Sequence, residues 1–181
     1  MNTNEEAALG AKTHMPLVKA LSRCPQLQIK AGRVLFHGCG DLNRDIDVQS
    51  KRLLGTRKWL SEDPEYPVSY AYLERAGAPL LWECRLTLDA VAFVGSQSKL
   101  FEVSPWGTAS IYEFPDAFER HAKAALGQDL PVLFLDHLQE DGLFRELLVP
   151  NPAANLAVEK IHHLVGSKKE AVAFALRLLP S

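Results

Sequence analysis

The chain lacks the motifs and the charge by which many nucleotide-binding proteins are known. No GxGxxG follows a predicted strand and no GxxxxGK(S/T) occurs, so neither a Rossmann fold nor P-loop chemistry is indicated. Lys plus Arg number 20 and Asp plus Glu 22, which gives a net charge of −2. Dedicated nucleic-acid binders usually carry a basic surplus for phosphate contact, and this composition disfavours them as a class.

Cysteines are few, and no apolar run is long. Cys24, Cys39 and Cys84 are an odd number without a CxxC pair, so we expect a reducing compartment and no disulfide framework. No run reaches the length of a membrane span, and the acidic N-terminus lacks the features of a secretory signal. We therefore expect a cytoplasmic site of action, in its own or a target cell, and no membrane partner. Export by a dedicated machine and the oligomeric state stay open.

The composition is that of an ordinary globular domain, with 47% hydrophobic and 23% charged residues among 181. Residues 1–32 are interpreted as a polar lead with a short helix after Pro16, and residues 33–181 as one compact domain. The patterning predicts an α+β fold without βαβ alternation. Strands are expected at 34–36, 58–60, 80–88, 90–94, 132–135, 144–149 and 157–164, and helices at 64–77, at 118–126 and after a Ser167 capping box, with a helical turn near 50–54.

Three stretches set polar or aromatic residues into apolar elements. Residues 33–38 (RVLFHG) form a strand that ends in His-Gly, and residues 144–150 (FRELLVP) form an alternating strand that carries Glu146. Between them, Trp59-Leu60-Ser61 leads through Asp63-Pro64 into a helix that carries Tyr70. An inward carboxylate such as Glu146 is costly to bury unless it is paired or used.

Each of these residues also has a purely structural interpretation. A His at a strand end is commonly satisfied by the backbone. Tyr66, Tyr70 and Leu73, at helical spacing, would pack in the core. Glu146 on an edge strand would be solvated or paired with a neighbouring cation.

His37, Trp59, Tyr70 and Glu146, in this order, resemble the His-Tyr-Glu signature of ADP-ribosyltransferases of the diphtheria-toxin and poly(ADP-ribose) polymerase type. The resemblance covers residues 33–164. It implies a split, twisted β-sandwich with a few flanking helices and with NAD bound in the cleft between the sheets. It also implies NAD as co-substrate and no metal.

The resemblance assigns a role to each residue. His37 would hydrogen-bond a ribose hydroxyl, and Trp59 and Tyr70 would hold the nicotinamide ring between their faces, by stacking and cation–π attraction. Glu146 would bind the 2′-hydroxyl of the nicotinamide ribose and stabilise the oxocarbenium ion that forms as nicotinamide leaves. Gly38 and Ser61 complete the expected NAD-binding set.

The sequence departs from the family pattern at two positions and leaves one choice open. Cys39 follows His-Gly where Thr or Ser is common, and Trp59 stands where Tyr is usual. Phe144 gives neither Glu-x-Glu nor Gln-x-Glu at Glu146, which disfavours transfer to arginine. Tyr72 competes with Tyr70 for the stacking role, and only the spacing from Ser61 favours Tyr70.

Other candidate sites are weaker. His162 and His163 are adjacent, so on a strand their rings point to opposite faces and cannot share a metal. A local basic cluster would meet the pyrophosphate of NAD or an anionic acceptor, or would be a solvated loop; it comprises Arg44, Lys51, Arg52, Arg57 and Lys58.

The expected activity is NAD-dependent mono-ADP-ribosyl transfer to a macromolecular acceptor, with release of nicotinamide. It is the activity of a bacterial toxin or effector, which a partner protein would neutralise. The acceptor, protein or nucleic acid, is not encoded in any motif. The alternatives are an NAD glycohydrolase, with water as acceptor, and an inert domain of the same fold that binds NAD or a protein. An RNA 2′-phosphotransferase is disfavoured by Glu146.

Overall fold

A computed structural model describes residues 25–40, 46–47, 52–53, 55, 57–73, 78–94, 123, 127, 132–138 and 144–179. The strands are β1 (Gln26–Ile29), β2 (Val34–Cys39), β3 (Ile46–Asp47), β4 (Arg52–Leu53), β5 (Arg57–Leu60), β6 (Leu80–Leu86), β7 (Ala90–Val94), β8 (Val132–Leu138), β9 (Phe144–Pro150) and β10 (Leu156–His163). The helices are α1 (Glu65–Leu73), α2 (Pro152–Asn155) and α3 (Lys168–Ala175), which a 3₁₀ turn at Leu176–Leu178 extends.

The strands form three sheets. A five-stranded sheet has the order β1-β7-β8-β9-β5, a three-stranded sheet has the order β10-β6-β2, and β3 pairs with β4. Every pairing is antiparallel except that of β7 with β8. The predicted mixed α+β class is therefore confirmed. Among the described residues, no helix has the length and apolar character needed to cross a membrane.

The larger hydrophobic cluster takes side chains from both larger sheets. Leu60 and Leu147 come from the five-stranded sheet, and Leu35 and Trp82 come from the three-stranded sheet; these four are at most 2% exposed. Because side chains alternate along a strand, Phe36 lies on the opposite face of β2. There a second cluster packs α1 and α3 against the three-stranded sheet; its buried members are Phe36, Val68, Ala71, Leu81, Leu164, Ala171 and Ala175.

Most predicted elements agree with the structure to within a few residues. The helix start is as expected, since the Asp63 side chain accepts a hydrogen bond from the Glu65 N–H at 2.9 Å. The Ser167 capping box is present, with Glu170 as its partner. The predicted helical turn near 50–54 is wrong, because residues 52–53 pair as a strand with residues 46–47. The predicted helices after Pro16 and at 118–126 lie outside the described residues, apart from Lys123, which is helical.

The two larger sheets are joined by a backbone seam between β2 and the end of β5. Phe36 and Ser61 form a bridge in which the Phe36 N–H donates to the Ser61 carbonyl at 2.7 Å and the Ser61 N–H donates to the Phe36 carbonyl at 2.9 Å. Ser61 is fully buried. The chain then leaves β5 through this residue and turns into α1, so the seam fixes where the helix begins.

Gly38 allows α1 to lie directly on β2. A Cβ atom at this position would overlap the carbonyl oxygen of Pro67, in the first turn of the helix. Backbone therefore meets backbone where any other residue would hold the two elements apart. The glycine of the His-Gly pair is a packing requirement, whatever else it does.

We expect Gly38→Ala to lower the free energy of unfolding by about 2–4 kcal/mol, because the added methyl group must displace the helix backbone. Gly32→Ala is the matched control. Gly32 has φ +82° but no atom within 4 Å of the added methyl group, so it should cost only about 1 kcal/mol of backbone strain. Urea unfolding of both variants measures the difference, and equal losses would show that the close packing of α1 on β2 is not the cause.

We also expect Cys39 and Cys84 to resist alkylation in the native protein. They are 1% and 0% exposed, and burial raises the pKa of the Cys84 thiol to about 12, which leaves almost no thiolate at pH 8. In a Cys24→Ser variant, iodoacetamide should label them at least about 100-fold more slowly in buffer than in denaturant. Rapid labelling of Cys84 in buffer would mean that β2 and β6 open readily.

Candidate active site

His37, on β2, makes a side-chain contact with β5 next to the seam. Its Nδ1 lies 2.7 Å from the carbonyl oxygen of Trp59, and a carbonyl can only accept, so Nδ1 carries a proton and donates. The ring meets Trp82 edge-on, with the centroids 5.2 Å apart. His37 alternates with the core residues Leu35 and Cys39, so it lies on the core-facing side of β2. Any contact with a ribose hydroxyl must therefore be made by Nε2.

Trp59 lies on the other side of β5. Lys58 and Leu60, its neighbours in the strand, are 8% and 2% exposed, and Leu60 belongs to the core cluster. Strand alternation therefore puts the half-buried indole of Trp59 on the face away from that cluster. Its pairing partner on β9 is Leu148.

Ser61 turns the chain from β5 into α1. Its hydroxyl oxygen accepts a hydrogen bond from the Asp63 N–H at 3.1 Å, in addition to the backbone bonds with Phe36. The β5–β9 pairing ends at Leu60 and Leu147, so Ser61 is the first residue of the β5 side beyond that pairing. The predicted ligand-binding serine is thus also a structural residue of the turn.

Glu146 is linked to α1 through the side chain of Tyr66. Leu147 and Val149 belong to the core cluster, so Glu146 and Leu148 lie on the other face of β9, which is Trp59's face. The hydroxyl of Tyr66 donates a hydrogen bond to Oε1 of Glu146. Glu146 is therefore neither solvated nor deep in the core. It is a partly buried carboxylate with a phenol as its partner.

Tyr66 is the site residue that sequence analysis missed, since it was considered only as a core residue. Its position four residues before Tyr70 was the available signal, because residues i and i+4 share one side of a helix. The interpretation of Tyr70 and Leu73 as core residues is wrong, because they are 52% and 75% exposed.

The structure separates Tyr70 from Tyr72. The Tyr72 hydroxyl donates to the carbonyl oxygen of Gly166 at 3.1 Å, and its ring packs against the cluster between α1 and α3. Tyr70 follows Tyr66 by one helical turn, on the side that faces Glu146. Tyr70 is 52% exposed, and its choice over Tyr72 for the stacking role stays a prediction.

The N–H and C=O of Gly38 point toward β5. Phe36 directs its N–H and C=O toward Ser61, and alternate residues of an antiparallel strand direct these groups the same way. Gly38 therefore presents its N–H and C=O on the β5 side, beyond the bridge and beside the Trp59 segment. A donor and an acceptor on one residue suit a primary amide.

The charged residues near the seam are paired or buried. Arg33 makes an ion pair with the buried carboxylate of Glu62, and this hydrogen bond raises the pKa of Arg33. Within the basic cluster, Lys58 is buried on the core side of β5, so its assignment to a solvated loop is wrong; residues 44 and 51 lie outside the described residues. In the part of the chain that the structure describes, no group of His, Cys, Asp and Glu could hold a metal.

The structure thus links His37 to Trp59 across the seam, and Tyr66 of α1 to Glu146 of β9. Tyr70 stands next to them on α1. The His37 imidazole lies on the core-facing side of β2, and the Glu146 carboxylate lies on the side of β9 away from the core cluster. It therefore stays a prediction that the predicted residues line a single NAD pocket. Comparisons with known proteins add nothing further: no protein-family model, curated protein or solved structure matches this chain.

Proposed function

We propose that this chain is a mono-ADP-ribosyltransferase with an ADP-ribosyltransferase-like split β-sandwich, and that it binds NAD where β2 and β5 part. The observation that carries the proposal is the pairing of Glu146 with Tyr66 on the face of the five-stranded sheet that also carries Trp59. A partly buried carboxylate and aromatic side chains lie on that face, and the N–H and C=O of Gly38 point toward the strand that carries Trp59. Each matches one part of the nicotinamide riboside end of NAD.

The nicotinamide ring would bind between Trp59 and Tyr70. Both are aromatic, the first half-buried and the second half-exposed, so one supplies a fixed surface and the other an accessible one. A cationic pyridinium gains stacking and cation–π energy of about 0.5–2 kcal/mol from each ring. The Gly38 N–H and C=O would hold the carboxamide, which fixes the orientation of the ring.

Glu146 would act on the bond that breaks. As the C–N glycosidic bond opens, its electron pair leaves with nicotinamide, and positive charge develops on the ribose as an oxocarbenium ion. A preoriented carboxylate stabilises that charge more than it stabilises bound NAD, and this difference lowers the barrier. The Tyr66 hydroxyl holds Oε1 in place. Because the carboxylate is planar and rigid, the same hydrogen bond also fixes the direction of Oε2.

His37 would support this site from the core side. By donating to the Trp59 carbonyl, it holds the strand that carries the stacking indole at a fixed distance from β2. An acceptor nucleophile then takes the ADP-ribose, and water in its place would make the reaction an NAD hydrolysis. Nicotinamide release with and without a macromolecular acceptor distinguishes transfer from hydrolysis.

The first prediction for this proposal concerns the aromatic pair. Trp59→Ala or Tyr70→Ala should weaken NAD binding by about 1–3 kcal/mol, the loss of one stacked contact. Tyr70→Phe should keep most of the affinity, because stacking needs the ring and not the hydroxyl. Leu73→Ala, an exposed position on the same helix, is the control and should bind NAD as wild type does. Titration calorimetry that shows full affinity in both Ala variants would remove these residues from the site.

The second prediction concerns Glu146. Glu146→Gln should bind NAD nearly as well as wild type but release nicotinamide about 10²–10³-fold more slowly, because Gln keeps the shape and loses the charge. Glu65→Gln, at an exposed carboxylate one residue from Tyr66, should leave the rate unchanged. Nicotinamide release is measured at saturating NAD, with and without cell extract as the source of acceptor.

The same assay separates the alternatives. With NAD labelled in its ADP-ribose part, faster nicotinamide release in the presence of extract, together with labelled macromolecules, indicates transfer. Equal nicotinamide release with and without extract, and no labelled macromolecules, indicates NAD hydrolysis. Equal rates for wild type and Glu146→Gln would refute the mechanism. NAD binding without any release would favour the inert binding domain.

A further inference from the structure

A buried carboxylate that the proposed reaction does not use lies next to the seam. Glu62 follows Ser61 directly and is 5% exposed, although it belongs to the connection between β5 and α1. Burial of an unpaired carboxylate is strongly unfavourable. Its partner is Arg33, whose Nε donates a hydrogen bond to Oε1 of Glu62. The Arg33 side chain is 48% exposed. The pair therefore reaches from the protein surface to the interior of the seam.

Three links connect β2 to the β5–α1 segment in order along the strand. The Arg33–Glu62 ion pair comes first, the Phe36–Ser61 backbone bonds come second, and the His37–Trp59 hydrogen bond comes third. Beyond the Phe36–Ser61 bridge, Gly38 and Trp59 form no strand pairing with each other in the described part of the chain. Because side-chain contacts flank the backbone bridge on both sides, β2 and β5 cannot rotate about the bridge. The Arg33–Glu62 ion pair therefore affects the spacing between Gly38 and Trp59 at the other end.

We propose that Arg33 and Glu62 form a positioning clamp that sets the spacing between β2 and β5 at the nicotinamide site. Neither residue touches NAD; the pair acts through Ser61 and Trp59. This inference rests on the proposed function, because the cleft it controls is the one assigned there to NAD. It adds two positioning residues to the site, one of them the first residue of the 33–38 stretch.

The competing explanation is that the pair only adds stability. The chain offers a matched ion pair for that comparison. Lys30 and Asp89 lie 2.8 Å apart, near the start of β2 and away from the seam, with side chains 76% and 44% exposed. Asp89 also accepts from the Ala31 N–H at 2.8 Å. Removing this pair perturbs the turn between β1 and β2 without touching the seam.

The first arm of the test is kinetic. Glu62→Gln and Arg33→Gln should each raise the KM for NAD about fivefold to tenfold with kcat within about twofold, since a misplaced Trp59 weakens binding rather than charge stabilisation. The double variant should be no worse than either single one, because both remove the same link. Arg33→Lys, which keeps the charge, should recover most of the affinity, and Asp89→Asn should behave as wild type. Because Arg33 is half-exposed, its variants remain informative should Glu62→Gln fold poorly.

The second arm needs no activity. Amide hydrogen exchange at Phe36 and Ser61 should quicken about tenfold or more in Glu62→Gln and Arg33→Gln, and stay unchanged in Asp89→Asn, while the β6–β10 ladder keeps its protection. Unchanged exchange at Ser61 overturns the clamp. Quickened exchange with an unchanged KM overturns its role in the cleft. A wild type that neither binds nor cleaves NAD refutes the proposed function and this role with it, and the exchange result then still reports whether the seam is clamped.

Discussion

The backbone pairing of Phe36 with Ser61 is the contact on which the arrangement of the site depends. It joins the two larger sheets directly, because β5 pairs with β9 in one sheet and Ser61, at the end of β5, pairs with β2 of the other. From it follow the turn of the chain from β5 into α1 and the approach of His37 to the Trp59 carbonyl. Each such hydrogen bond contributes only about 1 kcal/mol net. A pairing this short therefore needs support from the side chains at both of its ends.

The helix that follows the seam is held by small residues and by proline. Pro67, Val68 and Ala71 are its buried residues, and Gly38 opposite them removes the last obstacle to close approach. Pro67 falls where an N–H has no partner within the helix, so it costs no hydrogen bond. Packed this closely, α1 brings the hydroxyl of Tyr66 to Glu146, and Tyr70 then stands one turn further along.

Local patterns in the sequence predicted the elements well, and long-range contacts could not be predicted in the same way. A β-branched and aromatic run marked β7, and Asp63 and Ser167 marked helix starts, because these signals are carried by neighbouring residues. The Arg33–Glu62 and Tyr66–Glu146 contacts join residues 29 and 80 positions apart. Neither spacing has a period that a sequence pattern can show. The β3–β4 pairing was missed for a similar reason, since two-residue strands carry no alternation.

Strand alternation also explains why His and Gly stand side by side in the 33–38 stretch. Successive residues of β2 face opposite ways, so His37 acts on the core side and Gly38 on the helix side. The two residues make separate contacts, since the imidazole donates to the Trp59 carbonyl and the glycine lets α1 lie directly on β2. A larger residue at position 38 would displace the helix while leaving His37 in place. Within the pair, the glycine therefore positions Tyr66 and Tyr70, and the histidine positions Trp59.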